Sequence, residues 1–289
     1  MDPPLGTASI RVAIDTCSDR YTYDTINGMT QTSPPAAAEL APLAVVTGGS
    51  RGIGAATAER LARDGYCVAV HYGSDAAAAD TVVARIRRNG GDAFSFRAEL
   101  NRPEAGHRFW EAYDAAAGDR RGQRLRTMIN NAGVTLRGPI EDFTSESLLQ
   151  QQQINQVAPF LIVQAGLDRL EDGGRIVNVS SGATRIATPD IIGYTMTKSA
   201  IDAFTRILAQ HLGHRRITVN AVAPGIIDTD MNAGWLRGNP EAVEQVLPQI
   251  ALGRIGTAAE IADVISFLAS DDARYVTGHT IDATGGSRL

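Results

Sequence analysis

The feature that most constrains the fold of this chain is a regular alternation that begins near residue 43. Short apolar runs recur from there towards the C-terminus, and a segment of helical length separates each run from the next. Strands that are apolar throughout are typical of a parallel sheet covered on both faces by helices. We therefore predict a doubly wound α/β domain with one parallel seven-stranded sheet. The predicted strands cover residues 44–46, 67–70, 93–96, 127–129, 175–179, 218–222 and 279–281.

The first 40 residues lack this alternation. They contain Pro3-Pro4, a polar run over residues 15–25 and another over residues 30–35, without a sustained period of 2 or 3.6. Segments of this kind do not bury enough apolar surface to fold. We predict a mostly disordered extension over residues 1–40 and a single domain over residues 41–289, with Met29 as an alternative start of the chain.

Composition excludes several classes of function. The formal net charge is −5 and there is no basic run, so binding to nucleic acid is not expected. No apolar run approaches the roughly 20 residues that a membrane-spanning helix needs. Cys17 and Cys67 are too few for a disulfide framework and suit the reducing cytoplasm, where we place the protein. The five histidines lack the spacing of metal ligands, so no metal site is predicted.

A single lysine stands among 26 arginines. Arginine serves wherever else this chain uses a basic side chain, and only Lys198 departs from that usage. A guanidinium cannot replace a compact ammonium that has to approach a neighbouring group closely. The retention of one lysine therefore indicates a chemical task for Lys198, with chance as the alternative explanation.

A glycine-rich turn joins the first predicted strand to a helix that begins near Ala55. Its sequence is Thr47-Gly48-Gly49-Ser50-Arg51-Gly52-Ile53-Gly54. Glycines allow a tight turn and let the backbone approach a pyrophosphate at the N-terminus of the helix. The strand, turn and helix begin a βαβ unit, which is the context in which such a turn binds a dinucleotide. The turn lacks the Gly-Lys-Ser/Thr of a P-loop and departs from the plain G-x-G-x-x-G form.

The form T-G-x-x-x-G-x-G resembles the nucleotide-binding turn of the short-chain dehydrogenase/reductase family. Further matching motifs follow in order: Asn130-Asn131-Ala132-Gly133, Asn155 in N-x-x-x-x-F, Ser181, Tyr194 with Lys198 (Y-x-x-x-K), and residues 224–231. The spacing from residue 181 to residue 194, which is 13, and the segment over residues 252–278 resemble the bacterial 3-oxoacyl-[acyl-carrier-protein] reductases of the family. The resemblance covers residues 43–289. It implies a Rossmann fold and reversible hydride transfer between a nicotinamide and a carbonyl or alcohol.

The resemblance also implies a catalytic set of four residues. Tyr194 would be the proton donor, and Lys198, on the same helix face, would lower the pKa of the phenol and bind the nicotinamide ribose. Ser181, after the fifth strand, would donate a hydrogen bond to the substrate oxygen, with Ser180 as the competing choice. Asn155 would kink its helix and hold a water molecule that relays protons to the lysine. A Ser–His–Asp hydrolase is not expected, because no histidine falls at the positions that such a triad requires.

The same resemblance assigns the cofactor contacts, and the residues favour NADP(H) over NAD(H). NAD enzymes place a carboxylate at the end of the second strand, where this chain has Ser74 and no acid before Asp75. Arg51 and Ser74 can bind the 2′-phosphate instead, although a small shift of the loop would bring Asp75 to the ribose. The predicted cofactor-binding residues are Gly48, Ser50, Arg51, Gly52, Ile53, Gly54, Ser74, Glu99, Leu100, Asn131, Ala132, Gly133, Tyr194, Lys198, Pro224, Gly225, Ile227 and Thr229.

The predicted substrate is a ketone bound in a fairly open apolar slot between the loops at residues 182–193 and 230–251. Our first choice is a 3-oxoacyl thioester of fatty-acid or polyketide metabolism, free or carrier-bound. The alternatives are a secondary alcohol, a sugar or a steroid-like ketone, and a non-catalytic NADP-binding regulator. The resemblance also implies a homotetramer, with a dimer second, that pairs through two long helices predicted at residues 145–170 and 192–211.

Overall fold

A computed structural model describes residues 40–289, so the extension predicted over residues 1–40 lies outside the described residues except for Leu40. The described chain holds one sheet of seven strands, and every neighbouring pair is parallel. The order across the sheet is β3-β2-β1-β4-β5-β6-β7, which confirms the predicted doubly wound fold. The strands are β1 (Leu43–Val46), β2 (Cys67–Tyr72), β3 (Asp92–Arg97), β4 (Leu125–Asn130), β5 (Leu170–Val179), β6 (Thr218–Pro224) and β7 (Thr280–Ala283).

The helices cover both faces of the sheet. Helices α3, α5 and α6 pack on one face, and α1, α2 and α9 pack on the other. The central strand β1 contributes Val45 to the first core and Ala44 and Val46 to the second, which is why it is apolar throughout. The α-helices are α1 (Gly52–Arg63), α2 (Ala76–Arg88), α3 (Ala105–Ala116), α4 (Ser145–Gln152), α5 (Ala158–Gly166), α6 (Ile192–Leu212), α7 (Asp230–Leu236), α8 (Pro240–Val246) and α9 (Ala258–Ala269).

The direction in which the sheet grows reverses beside β1. The chain adds β2 and β3 on one side of β1 and then returns to place β4 on the other side. Doubly wound folds bind their ligands at such a reversal, in a crevice at the carboxyl edge of the sheet. The glycine turn and the Asn130-Asn131-Ala132-Gly133 segment both lie at this edge.

The helix predicted over residues 145–170 has the irregularity expected at Asn155 but ends earlier than predicted. A π-helical segment at Gln153–Val157 separates α4 from α5. Pro159 has no N–H to donate to the carbonyl of Asn155, so the regular α-helical hydrogen bond cannot form at that position. Leu170 is fully buried and begins β5.

The prediction for α6 agrees with the structure within one residue. Among the apolar residues of α6, Ile201, Leu208 and Leu212 are buried, whereas Ile207 is 72% exposed and faces away from the sheet. Within residues 40–289, no helix combines the length and the apolar character needed to cross a membrane.

Candidate active site

The glycine turn lies at the carboxyl edge of β1 and opens α1. Gly48 and Gly52 have φ values of +62° and +54°, in the left-handed region that glycine adopts without strain. A Cβ atom on Gly54 would lie 2.1 Å from the carbonyl oxygen of Gly48, so the helix begins directly against the loop. Arg51 is the N-cap residue, makes no side-chain cap hydrogen bond and is followed by a first turn without acidic residues. The N–H groups at this helix end are therefore available to an anion.

Thr47 and Asn131 fasten the turn to the end of β4. The hydroxyl oxygen of Thr47 accepts hydrogen bonds from the backbone N–H groups of Asn131 (2.9 Å) and Ala132 (3.0 Å). The side-chain amide of Asn131 donates in turn to the carbonyls of Thr47 (2.9 Å) and Gly48 (3.1 Å). The two segments predicted to bind the nucleotide, after β1 and after β4, are thus held together.

The other side of the turn is held by His71, a residue to which the sequence analysis gave no role. The backbone N–H of Gly48 donates to its Nδ1 at 3.1 Å, and its Nε2 lies 2.9 Å from the carbonyl oxygen of Ala98. The signal in the sequence was a polar ring at the end of an apolar strand. The spacing rules for metal ligands do not identify a single histidine of this kind.

Ser181, Tyr194 and Lys198 meet between the carboxyl end of β5 and the first turns of α6. The Ser181 side chain lies close enough to the Tyr194 phenol to lower its pKa. The ammonium nitrogen of Lys198 lies 5.6 Å from the centre of the Tyr194 ring and donates to the carbonyl of Val179 at 2.6 Å. A Cβ atom on Gly133 would lie 3.6 Å from the same nitrogen, so the segment after β4 borders the lysine. The predicted acid–base residues therefore form one cluster beside the crevice.

The pKa of Tyr194 shifts in the direction opposite to the one we expected. Burial raises this pKa above its ordinary value of 10, and the hydrogen bond with Ser181 and the charge of Arg137 oppose the rise only in part. The lowering expected from Lys198 stays a prediction, because burial dominates the pKa of the phenol in this geometry. The phenol is therefore protonated at neutral pH and has a proton to give.

Lys198 carries its charge inside the protein. Only 4% of its surface is exposed, and burial lowers its pKa to about 8, an effect that the carboxylate of Asp202 opposes. The ammonium form therefore predominates at pH 7. A buried cation next to the crevice attracts electron-rich groups of a ligand that binds there.

Asn155, the fourth predicted catalytic residue, lies in the π-helical segment and is 1% exposed. Its Oδ1 accepts a hydrogen bond from the N–H of Val134 at 2.8 Å. Its Nδ2 donates to the carbonyl of Val134 at 2.8 Å and to the hydroxyl of Thr197 at 3.2 Å. Asn155 thus ties the segment after β4 to α6, one residue before Lys198. The predicted irregularity of its helix is present, and its role in a proton relay stays a prediction.

Ser180 and Ser181 have different surroundings. Ser180 is 1% exposed, and among the described residues its hydroxyl has no hydrogen-bond partner. The hydroxyl of Ser181 accepts from the N–H of Ala183 at 3.1 Å and lies close enough to Tyr194 to affect the pKa of the phenol. The geometry therefore favours Ser181 as the residue beside the proton donor, as the spacing did.

The end of β2 carries no free carboxylate. Asp75 is the N-cap of α2, where its side chain accepts a hydrogen bond from the N–H of Ala78 at 3.0 Å. This cap opposes the alternative in which Asp75 reaches a ribose, because the helix would lose its cap. Ser74 and Arg51 are both exposed at this side of the crevice. A phosphate would meet donors here rather than a carboxylate.

Glu99 and Leu100 follow β3 at the same side. Arg97 donates to Glu99 at 3.1 Å and to the carbonyl of Gly73 at 3.0 Å, which ties the ends of β2 and β3 together. Leu100 is 8% exposed and its side chain belongs to the core. Its backbone is therefore the part that can face a ligand, and the predicted adenine contacts of both residues stay predictions.

The segment that follows β6 lies next to the glycine turn. Pro224 ends the strand, Gly225 follows, and Ile227 is 4% exposed. A Cβ atom on Gly52 would lie 3.4 Å from the Cγ2 atom of Thr229. The segment therefore closes one side of the crevice, with the side chain of Ile227 turned into the core and its backbone left for a ligand.

Arg137 connects the regions predicted to surround the substrate. Its Nη1 lies 2.5 Å from Oδ2 of Asp190, in the loop after β5. Its Cζ lies 5.0 Å from the ring centre of Trp235, which belongs to α7. Its charge also reaches Tyr194, as the pKa of that residue indicates. No sequence motif marks Arg137, because both of its partners are distant from it along the chain.

Comparison with known proteins identifies the family. The family model described as Enoyl-(Acyl carrier protein) reductase matches residues 48–288. The chain belongs to the short-chain dehydrogenase/reductase family. The resemblance in the sequence depended on the same features that the structure contains, namely the fold, the glycine turn and the Tyr194–Lys198 pair.

Three relatives from this family are informative. The promiscuous reductase LugOII, which catalyses keto-reduction at C1 during lugdunomycin biosynthesis, is 47% identical, with a TM-score of 0.81 and coverage of 86% of this chain and 98% of that one. The angucycline C-6 ketoreductase LanV, solved with bound NADP, is 45% identical, with a TM-score of 0.81 and coverage of 86% and 96%. The 3-oxoacyl-[acyl-carrier-protein] reductase of Synechocystis sp. is 38% identical over 255 residues, covering 85% and 96% of the two chains.

This short-chain dehydrogenase/reductase has the parts that a nicotinamide dinucleotide requires. Glycines without Cβ atoms let the backbone of the turn approach a pyrophosphate, and the N-terminus of α1 supplies N–H donors. The cation of Arg51 rather than a carboxylate lies on the adenosine side, which suits NADP(H). Tyr194, the predicted proton donor, lies in the first turn of α6. The chain is therefore an oxidoreductase whose residues fit this cofactor.

Proposed function

We propose that this protein is an NADPH-dependent ketoreductase that acts on a polycyclic aromatic ketone of polyketide origin. The observation that carries the proposal is the convergence of Ser181, Tyr194 and Lys198 beside the glycine turn. Such a cluster can bind a carbonyl oxygen and protonate it, which is what ketone reduction requires of the protein.

Each residue has a separate task in this proposal. NADPH, when bound, supplies a hydride to the carbonyl carbon. The Tyr194 hydroxyl gives its proton to the carbonyl oxygen, and the Ser181 hydroxyl donates a hydrogen bond to the same oxygen. Lys198 holds a positive charge beneath the phenol, which stabilises the phenolate that the proton transfer leaves. Asn155 keeps α6 and the segment after β4 at a fixed separation.

The remaining predicted residues hold the cofactor. Backbone N–H groups of the glycine turn and α1 bind the pyrophosphate, and Arg51 and Ser74 bind the 2′-phosphate. The cap that Asp75 forms on α2 supports NADPH over NADH, because the carboxylate that would repel the phosphate is engaged elsewhere. The segments after β4 and β6 are proposed to flank the nicotinamide half.

The substrate class is proposed from the relatives and from the mouth of the site. LugOII and LanV are, by their descriptions, ketoreductases of lugdunomycin and angucycline biosynthesis. In this chain Trp235 and Arg137 present a stacked indole and guanidinium beside the loop after β5. Flat, electron-rich rings bind well against such a pair. This observation favours a planar polycyclic ketone.

A second candidate is the reduction of a 3-oxoacyl thioester, free or carrier-bound. The Synechocystis relative carries that activity in its name and is 38% identical. The same acid–base cluster would serve both substrates, because only the carbonyl group reaches it.

The test is NADPH consumption by the purified protein with a panel of ketones. The panel contains a polycyclic aromatic ketone, a 3-oxoacyl thioester, a sugar ketone and a steroid ketone, each with Tyr194→Phe as the inactive control. We expect kcat/KM to be highest for the polycyclic ketone. Preference for the thioester would support the second candidate, and NADPH binding without turnover on any ketone would support a non-catalytic regulator.

The proposal includes a homotetramer that pairs through α5 and α6. The outer face of these helices exposes Phe160 (49%), Met196 (52%) and Ile207 (72%), beyond what the sheet buries. Phe160 and Phe204 line an apolar groove on this face, with their ring centres 5.7 Å apart. The same helices of a second copy would cover it.

Light scattering on the wild type and on Phe160→Glu tests the assembly. We expect a tetramer that the charged variant splits, and a monomeric wild type at micromolar concentration would contradict this part of the proposal. The cytoplasm is the proposed location, on the ground of the low cysteine content.

A further inference from the structure

His71 stands near the end of β2 and is 1% exposed. It lies among aromatic rings, with the ring centres of Phe96 and Phe109 at 5.4 and 5.1 Å. A polar ring in apolar surroundings destabilises a fold unless its nitrogen atoms are hydrogen-bonded. The presence of His71 at this position therefore depends on the partners of those two atoms.

Both ring nitrogens have partners, and these partners fix the tautomer. The N–H of Gly48 donates to Nδ1 at 3.1 Å, so Nδ1 carries no proton. Nε2 carries the proton and donates to the carbonyl of Ala98 at 2.9 Å. The backbone carbonyl of His71 also accepts from the N–H of Gly49 at 2.8 Å. One residue thus holds the first two glycines of the turn.

The side-chain contacts of His71 reach both regions to which we assign the phosphate and adenosine parts of NADPH. Gly48 begins the turn for the pyrophosphate, and Ala98 immediately precedes Glu99 and Leu100 on the adenosine side. We propose that His71 is a positioning residue for the nucleotide, because its Nδ1 fixes the peptide plane at Gly48 and so the path of the turn that receives the pyrophosphate. This inference rests on the NADPH binding proposed above.

The role differs from general support of the fold. Thr47 and Asn131 brace the turn independently from the side of β4. Loss of the Nδ1 acceptor therefore leaves the sheet and that brace in place, but it leaves the N–H of Gly48 without an acceptor. We expect a local change in the turn that lowers nucleotide affinity, rather than unfolding.

The experiment compares His71→Asn with His71→Gln in the full chain. The Oδ1 of asparagine can take the place of Nδ1 and accept from Gly48, whereas the glutamine amide reaches the place of Nε2 and serves only Ala98. The Kd for NADPH is measured by fluorescence titration in the absence of substrate. We expect His71→Gln to weaken binding about tenfold or more and His71→Asn to remain within about threefold of the wild type.

Ile86→Ala is the control for lost stability. Ile86 is 2% exposed at the C-terminal end of α2, beside Gly91, and we expect a lower unfolding midpoint with an unchanged Kd. Equal Kd values for the wild type and both His71 variants would overturn the proposal. Equal weakening in the two variants would also overturn it, because the effect would then belong to the packing of the ring. A wild type that does not bind NADPH would contradict the proposed function instead.

Discussion

The ammonium nitrogen of Lys198 lies 5.6 Å from the centre of the Tyr194 ring, and one helical turn of α6 separates the two residues. The nearest acceptor of the lysine is the carbonyl of Val179 at the end of β5, at 2.6 Å. The charge is therefore fixed to the sheet and lies over the face of the ring. Tyr194 is left as a protonated phenol beside the Ser181 side chain. The cluster is thus arranged for proton donation.

Tyr194→Phe should remove the donated proton without disturbing the packing of the ring. We expect kcat for ketone reduction to fall by about 10²–10⁴-fold, the usual contribution of general acid catalysis, with the Kd for NADPH close to the wild-type value. Steady-state NADPH consumption and fluorescence titration measure the two quantities. Ser180→Ala removes a neighbouring hydroxyl that has no hydrogen-bond partner within residues 40–289 and should retain the wild-type rate. A rate for Tyr194→Phe within about tenfold of the wild type would contradict the assignment.

Lys198→Arg keeps the positive charge but replaces the compact ammonium with a wider group. Lys198 is 4% exposed, and its nitrogen lies close to Gly133 as well as to the carbonyl of Val179. A planar guanidinium is too wide for this position, so we expect most of the turnover to be lost at pH 7 although the residue remains cationic. Far-ultraviolet circular dichroism checks that the variant folds. Near-wild-type turnover would mean that the single lysine of the chain is an accident of composition.

Arg137→Gln should move the pH profile of the reaction. The charge of Arg137 lowers the pKa of Tyr194 against the rise that burial causes. Reduction needs the protonated phenol, so the rate falls as the pH rises through this pKa. Without Arg137 that pKa is higher, and we expect the alkaline limb of kcat to shift to higher pH. An alkaline limb at the same pH as in the wild type would show that the charge of Arg137 does not affect the pKa of Tyr194.

Arg51→Ala tests the choice of cofactor. Arg51 is exposed at the N-cap of α1 and makes no cap hydrogen bond, so its removal should leave the helix intact. We expect kcat/KM with NADPH to fall about tenfold, or roughly 1.4 kcal/mol, and kcat/KM with NADH to stay the same. Arg88→Ala, an exposed arginine at the end of α2, makes the same change in net charge and should affect neither cofactor. Equal use of NADPH and NADH by the wild type would contradict the preference.

The sheet could be predicted because its signal is local and repeated. Short apolar runs recur along the chain, as in Val45 and its neighbours, and the motifs fall at the carboxyl ends of the strands, where a parallel sheet collects them. Ser181, Tyr194 and Lys198 meet for that reason. The helix over residues 145–170 was predicted too long, because the buried Leu170 at its end belongs to β5. The irregularity at Asn155 was expected from the resemblance and is present.

Two residues of the site could not be predicted from the sequence. His71 acts through Gly48 and Ala98, and Arg137 acts through Asp190 and Trp235, so each role depends on contacts across the fold. No spacing rule detects such partners. Local motifs therefore identify the residues that contact ligands more readily than the residues that position them.

His71 should also make the stability of the protein depend on pH. Burial lowers its pKa from 6.5 to about 4, although the hydrogen bond to Ala98 opposes this shift. Between these two values the unfolded chain takes up a proton at this side chain and the folded chain does not. The free energy of unfolding therefore falls as the pH falls through this window, by roughly 3 kcal/mol in all, and the effect is absent at pH 7, where both states are neutral.

Urea unfolding of the wild type and of His71→Asn, at pH 7 and at about pH 4, measures this contribution. The variant lacks the titrating group, so we expect its free energy of unfolding to decline less on acidification, by roughly 3 kcal/mol. His107→Asn removes an exposed histidine and should leave the wild-type slope unchanged. If wild type and His71→Asn decline in parallel, the ring of His71 is not held neutral by its surroundings. Its hydrogen bond from Gly48 would then not depend on an unprotonated Nδ1, and the tautomer assigned to it would be wrong.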